Sequence, residues 1–439
     1  MPATMPHRPL SLLVVTTSGG GGHLQAANAK IAEEQVKNPD LVVITHDILA
    51  HAGGKRFGRF MINRIWDSAQ RKGSVRALEF WAHSTPIFDI LFWIPVFCQI
   101  LRKLFRYEIA NVIDTQPLAL GAMLCAIRIY NVLKKKSVAV EKILTDLPTQ
   151  FASPYLSPIK RLSASNRALI HLVTTKPLLL SGETEEKFWK KHCNLSLQNI
   201  SYAGFPIRPS FKKYAHQPKA FIPITLHISY KTPHEKTLLA ELTSSTHALL
   251  EENSLTLTMH PQDQVTTLML GSQPVQEASL SYVKTFIDLV KSTPSTHIHH
   301  YLFVFCAHKK LETMPLQERI YSLVTEYKDF PKNLTVLPMS SQTDDVIAPL
   351  YFRSNATLTK AGGITAMELL AVAQGKVWIH HEHQKTALQK ALSHTPLLSP
   401  YKGMPKWEYG NALYLQTHKK AEMVSPDTFS ASLTAYLHN

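Results

Sequence analysis

Short apolar runs alternate with longer stretches of helical spacing, and they do so in two blocks. No other feature limits the fold as much. The first block holds Leu12-Leu13-Val14-Val15, Leu41-Val42-Val43-Ile44, Lys142-Ile143-Leu144 and Leu169-Ile170-His171-Leu172-Val173. The second holds Thr267-Leu268-Met269-Leu270, Leu302-Phe303-Val304-Phe305, Leu334-Thr335-Val336-Leu337 and Lys376-Val377-Trp378-Ile379. A strand buried on both faces reads as a continuous apolar run, and parallel pairing needs a crossover helix between strands. The expectation is therefore α/β, with two doubly wound domains. Pro206, Pro209 and Pro218 mark the join, which places the domains at 1–212 and 213–439. Residues 212–265 are rich in Ser, Thr and His with weak periodicity, and read as an insertion or irregular lobe near 213–265. A chain of 439 residues that is 45% apolar can fill two such cores.

The chain has only 17 glycines, and four of them stand together as Gly19 to Gly22, closed by His23. They follow the first apolar run. Leu24, Ala27 and Ile31 then fall at helical spacing. The run reads as a strand-to-helix turn, where glycine permits positive φ and close approach of a ligand. Free N–H groups at the helix start favour an anion. Gly20, Gly21 and Gly22 would leave room at the mouth of a ligand cleft, with the His23 imidazole beside it. An ordinary tight turn with a surface histidine is the alternative. The spacing is not that of a dinucleotide fingerprint. A second glycine turn, Gly362-Gly363, leads into a helix with Ile364, Met367, Leu370 and Ala371 on its apolar side. Glu368 is expected at the edge of that side, where a carboxylate can accept two ribose hydroxyls while Thr365 and the helix start take phosphate. An acid stabilised by the helix dipole is the plainer reading.

Forty-seven basic against 32 acidic residues give a net charge of +15. That predicts attraction to a polyanion such as acidic lipid, nucleic acid or a phosphorylated substrate. No aromatic–glycine RNA motif or zinc finger accompanies the charge, so a nucleic-acid partner is not expected. Cys98, Cys125, Cys193 and Cys306 are far apart, which argues against disulfides and structural zinc and suits a reducing, cytoplasmic setting. The start MPATMPHRPLSLLVV is too short in apolar residues for a signal peptide, and no run reaches the length of a spanning helix. Residues 85–107, TPIFDILFWIPVFCQILRKLFRY, are the most lipid-like. Phe92, Trp93 and Phe97 suggest an apolar face, and Arg102, Lys103 and Arg106 a basic end. With Lys55, Arg56, Arg59, Arg64, Arg71, Lys72 and Arg76 upstream, this fits an interfacial helix on an acidic membrane. A buried core helix beside a solvated basic stretch fits equally.

Five motifs in order carry a family resemblance. They are Gly20-Gly21-Gly22-His23, Thr145-Asp146-Leu147, Gly204-Phe205-Pro206-Ile207-Arg208-Pro209-Ser210-Phe211, Lys360-Ala361-Gly362-Gly363-Ile364-Thr365-Ala366-Met367-Glu368, and Trp407-Glu408-Tyr409-Gly410-Asn411. The chain resembles the GT-B glycosyltransferases that include monogalactosyldiacylglycerol synthase and diacylglycerol glucosyltransferases, and more distantly the peptidoglycan N-acetylglucosaminyltransferase. The resemblance implies two Rossmann-like domains facing a central cleft. It implies a peripheral membrane hexosyltransferase that is inverting, independent of metal and of any cofactor, with a UDP-hexose donor and a lipid acceptor. By position, His23 would be the general base and Asp146 its partner or an acceptor-site residue. Gly271, Ser272, Gly362, Gly363, Thr365 and Glu368 would hold the nucleotide, and Glu408 and Asn411 the donor sugar. The pattern departs from the family at Leu270-Gly271-Ser272-Gln273-Pro274, with one glycine in the phosphate loop, and at Lys406-Trp407, where the family has Gly-Gln. Further insertions follow Phe211 and span about 382–402. A non-lipid acceptor, or an inactive lipid-binding relative, remains as an alternative. The histidine-rich stretch His380-His381-Glu382-His383-Gln384 reads as a loop and not as a metal site.

Overall fold

The computed structural model describes all residues except 1–10, 18–20, 53–65, 204, 219–221, 245, 247, 294–297, 308–314, 383–402 and 438–439. The chain forms two compact units: Met1–Asp67 with Ala77–Pro209, and Ser68–Arg76 with Ser210–Asn439.

The first unit is built on a parallel sheet. Its strands are β1 (Ser11–Thr16), β2 (Val42–Asp47), β3 (Asn111–Asp114), β4 (Val140–Ile143), β5 (Ile170–Val173) and β6 (Ile200–Ser201), in the order β2-β1-β3-β4-β5-β6. The core packs Leu13, Val15, Val112 and Val140 of the strands against Met123 and Ile127 of helix Leu120–Lys134, with Ile100 and Leu104 of helix Trp93–Tyr107. The helix after the glycine run, Gly21–Lys37, buries Ala26, Ala27, Ala29 and Lys30, while Leu24 is exposed. Its inner stripe is thus rotated from the Leu24–Ala27–Ile31 expectation. Small alanine side chains face the interior, and the Lys30 ammonium reaches Glu141 at 2.6 Å.

In the second unit β7 (Ile224–Ser229), β8 (Leu249–Leu250) and β9 (Ser254–Met259) form an antiparallel sheet in the order β7-β9-β8. The segment expected to be irregular is therefore ordered. Its Thr and His residues occupy the outward face, as in the Thr225–Thr258 and His227–Thr256 pairs, while Ile224, Leu226, Ile228, Leu255 and Leu257 point inward. The alternation has period two, so a search for helical spacing passes over it.

The main sheet of this unit contains β10 (Gln264–Met269), β11 (His300–Phe305), β12 (Leu334–Met339), β13 (Ala356–Thr359), β14 (Lys376–His380) and β15 (Glu422–Val424). They are parallel, in the order β12-β11-β10-β13-β14-β15. Counted from β10, this is the 3-2-1-4-5-6 order of a Rossmann sheet. Two Rossmann-like sheets in one chain are the makings of the GT-B fold.

Candidate functional site

An open doubly wound sheet binds ligands beyond the carboxyl ends of its strands, where the strand order reverses. The first sheet reverses between β1 and β3, and His23 stands there. Its Nδ1 lies 2.7 Å from the Thr115 carbonyl oxygen, just past β3, and 3.1 Å from Thr145 Oγ1, just past β4. A carbonyl only accepts, so Nδ1 carries the proton and Nε2 keeps its lone pair. Among the described residues none hydrogen-bonds Nε2. Thr115 Oγ1 closes the turn by donating to the His23 carbonyl and accepting from Thr16 Oγ1, each at 3.0 Å. The hydrogen-bond partners of Nδ1 are thus Thr115 and Thr145, and Asp146 is buried one residue further on. Burial pushes the imidazole down to about 4; the Thr115 bond opposes this and the Lys142 charge adds to it. Beneath the ring, Lys142 and Asp114 form a buried ion pair at 2.9 Å, and Gln116 hydrogen-bonds Asp114. Gly21 and Gly22 open the helix that carries His23, and Gly20 lies outside the described residues.

The second sheet reverses between β10 and β13. The Thr359 hydroxyl donates to the Met269 carbonyl at 2.8 Å and ties the two strand ends together. Gly271 follows with φ +82, a left-handed conformation that favours glycine, and a Cβ there would sit 3.8 Å from Lys360 Cδ. Ser272 beside it is exposed. Gly362 is the N-cap of helix Gly363–Val372, and its Cβ position has nothing nearer than Thr365 Oγ1 at 4.0 Å. The single-glycine loop and the glycine pair thus flank one lysine. Burial lowers the Lys360 ammonium from its ordinary value, opposed by the Glu408 and Glu382 carboxylates. Unpaired helix N–H groups beside a cation form an anion site. Lys360 belongs to the sequence motif without a role assigned to it; its place just past the end of β13, two residues before Gly362, is the signal that marks it.

Two of the expected donor-site residues, Glu368 and Asn411, are buried. Glu368 is fully buried, on the inner face of its helix with Ile364 and Leu369. Asn411, also buried, donates its Nδ2 to the Ala361 carbonyl at 2.8 Å and so holds the glycine turn. Glu408, in the first turn of helix Lys406–Lys419, is half-buried near Lys360.

The lipid-like segment forms two helices, Thr85–Leu91 and Trp93–Tyr107. Val96, Ile100 and Leu104 are buried at i, i+4, i+8. The opposite side leaves Ile87, Ile90, Leu91, Trp93 and Ile94 in solvent, Ile90 at 78%. Phe92 does not belong to that face. It is 5% exposed, stacked on Phe88 inside the core, because the break between the helices turns it inward. Phe97 is half-buried and stacks on Trp93, Arg102 is exposed, and Lys103 turns back to donate to the Thr45 carbonyl at 3.1 Å. The upstream residues Lys55, Arg56, Arg59 and Arg64 lie outside the described residues. Among the described residues no helix is long and apolar enough to cross a membrane, and no group of three His, Cys, Asp or Glu is placed to hold a metal.

No protein-family model matches the chain and no curated protein matches it. Solved structures do. MurG of Acinetobacter baumannii is 11% identical, with a TM-score of 0.43, covering 98% of this chain and 91% of its own. UDP-GlcNAc 2-epimerase of Neisseria meningitidis bound to UDP-GlcNAc is 12% identical, with a TM-score of 0.41, covering 98% and 99%. The α,α-trehalose 6-phosphate synthase of Burkholderia multivorans is 9% identical, with a TM-score of 0.40, covering 98% of each chain. The fold assignment rests on the two strand orders and not on these likenesses.

Proposed function

We propose that the protein transfers a hexose from a UDP-sugar to a lipid acceptor of diacylglycerol type at an acidic membrane surface, with inversion at the anomeric carbon. The observation that carries the reading is the fixed tautomer of His23 at the switch point of the first sheet. With Nδ1–H committed to Thr115, Nε2 is free to take the proton of an acceptor hydroxyl. The acceptor oxygen bonds to the anomeric carbon as the bond from that carbon to the diphosphate oxygen breaks. The proton ends on Nε2, and UDP leaves with the charge. Lys360 and the helix start at Gly363 stabilise that charge in the second unit, with Gly271 leaving space for it. Thr365 and Ser272 are the neighbouring hydroxyls, and the motif resemblance assigns Glu408 to the sugar hydroxyls. The choice of UDP and of hexose comes from the motif resemblance. The exposed apolar face favours a lipid acceptor over a soluble one, because burying it in a membrane removes that area from water.

A panel of UDP-hexoses incubated with diacylglycerol in acidic vesicles, read by mass spectrometry of the lipids, tests this. A new hexosyl lipid in one donor lane is expected. Hexose transfer to a soluble acceptor alone, or no UDP release with any lipid, would overturn the reading.

A further inference from the structure

Residues 68–76 belong to the second unit, although the chain on either side of them belongs to the first. They pack on the end of the second sheet that carries Lys360. The Lys360 ammonium donates to the Gln70 carbonyl at 3.5 Å. Three residues later Gly73 turns with φ +60, and a Cβ there would fall 2.2 Å from Glu382 Oε1 and 2.5 Å from its Cδ. The backbone therefore lies directly on that carboxylate.

A carboxylate at the end of a flexible side chain could ordinarily swing away, but this one is held. Its Oε1 lies 3.1 Å from His380 Nε2, and His380 Nδ1 lies 2.7 Å from the Tyr282 hydroxyl. The Glu382 carboxylate accepts, so Nε2 carries the proton and Tyr282 donates to Nδ1. The Glu382 backbone is fixed as well: its N–H donates to the Gly403 carbonyl at 2.8 Å, and a Cβ on Gly403 would meet its carbonyl oxygen at 2.0 Å. Tyr282, His380 and Glu382 thus make a rigid seat, and residues 68–76 rest on it with one carbonyl on Lys360.

We infer that residues 68–76 are a strap that positions the Lys360 ammonium for the diphosphate of the donor, with Glu382 as its seat and His380 as the residue that fixes the seat. The inference rests on the proposed donor site. Among the described residues the one hydrogen bond from Lys360 Nζ goes to Gln70 and is weak, so it aims the ammonium while the other two N–H groups serve phosphate oxygens. Lifting the strap leaves the ammonium to relax toward Glu382 and Glu408.

The test is equilibrium binding of UDP, inorganic pyrophosphate and uridine to the full chain. Gly73→Val places side-chain atoms where the Glu382 carboxylate sits. It should weaken UDP and pyrophosphate by tenfold or more, as expected for loss of about one charged hydrogen bond. Uridine, which has no phosphate, should bind as before, and the unfolding midpoint shows whether the variant folds. His380→Ala should weaken the two phosphate ligands in the same way, and His380→Gln, which can still donate to Glu382, should restore most of the loss. That pair decides the matter if Gly73→Val fails to fold. Equal UDP affinity in the wild type and both variants, or parallel loss of uridine, overturns the strap and leaves the donor site standing. A wild-type chain that binds neither UDP nor pyrophosphate overturns both.

Discussion

The first sheet reverses its strand order between β1 and β3, the second between β10 and β13, and the two reversals are furnished differently. Beyond β1 and β3 stands a neutral imidazole whose tautomer is set by a backbone carbonyl, above a buried lysine–aspartate pair. Beyond β10 and β13 stand a left-handed glycine, a glycine N-cap and a lysine held by one carbonyl. In the proposed reaction one end would remove a proton and the other would hold negative charge. The same architecture would then serve opposite chemistry, because topology fixes only where the loops meet and not what they carry. The contrast also apportions the work. A group pushed down to about 4 is always deprotonated near neutrality but is a weak base. In the proposed reaction, stabilisation of the leaving charge at the second sheet would then supply more of the rate than it would with an imidazole near its ordinary value.

The strongest test of the contrast is His23→Ala. It should lower turnover by roughly 10²–10⁴-fold, the usual worth of a general base, with UDP affinity unchanged. Loss of UDP affinity in a folded His23→Ala chain would break the division of labour.

Next in size is a test of the apolar helices of the first unit. Phe92→Ser should destabilise the fold by roughly 3–5 kcal/mol, since Phe92 is buried. Changing Ile90, Leu91 and Ile94 together to Ser should leave the unfolding midpoint nearly unchanged while reducing sedimentation with acidic vesicles. Undiminished vesicle binding by the triple variant would detach this face from the membrane.

Lys360→Met addresses the second reversal alone. It should weaken UDP by about 1.5–3 kcal/mol, the range for hydrogen bonds to charged groups, and leave uridine untouched. Equal losses for both ligands would show that Lys360 acts on the fold and not on phosphate.

A separate effect concerns pH, and it sums over several buried histidines. His23 and His300 are held near 4 and His46 near 3, in each case mainly by burial. Between about 6.5 and those values the unfolded chain binds protons that the native chain refuses, so stability falls as pH falls. Each histidine contributes about 1.4 kcal/mol per pH unit within that window, and nothing above it. A denaturant midpoint that drops between pH 6.5 and 4.5 is expected. For the same reason, any acid limb of kcat/KM that belongs to His23 should lie near 4. A limb near 6.5, abolished in His23→Ala, would show that the ring is as basic as an exposed one.

Much of this was readable from the residues. Eight apolar runs fell on eight strands of the two sheets. β3, with Asn111 and Asp114 at its ends, and β13, Ala356–Thr359, escaped notice because polar ends and threonines dilute an apolar run. Asp114 is tolerated inside only because Lys142 meets it there, and nothing local in the sequence announces a pair 28 positions apart. Within the candidate site His23 and the glycine pair were visible as motifs. The partners of His23 were not, nor was the inward turn of Glu368 and Phe92, because helical phase depends on where the helix starts and breaks.

The sequence by itself determined the class of fold, the glycine pair at Gly362-Gly363 and the amphipathic segment, since each follows from local period and local backbone freedom. Tertiary structure alone decided which nitrogen of His23 is free, which carboxylates flank Lys360, and that residues 68–76 pack with the second unit. Those features depend on contacts between residues 92, 122 and 290 positions apart, and such contacts are settled only when the whole core closes.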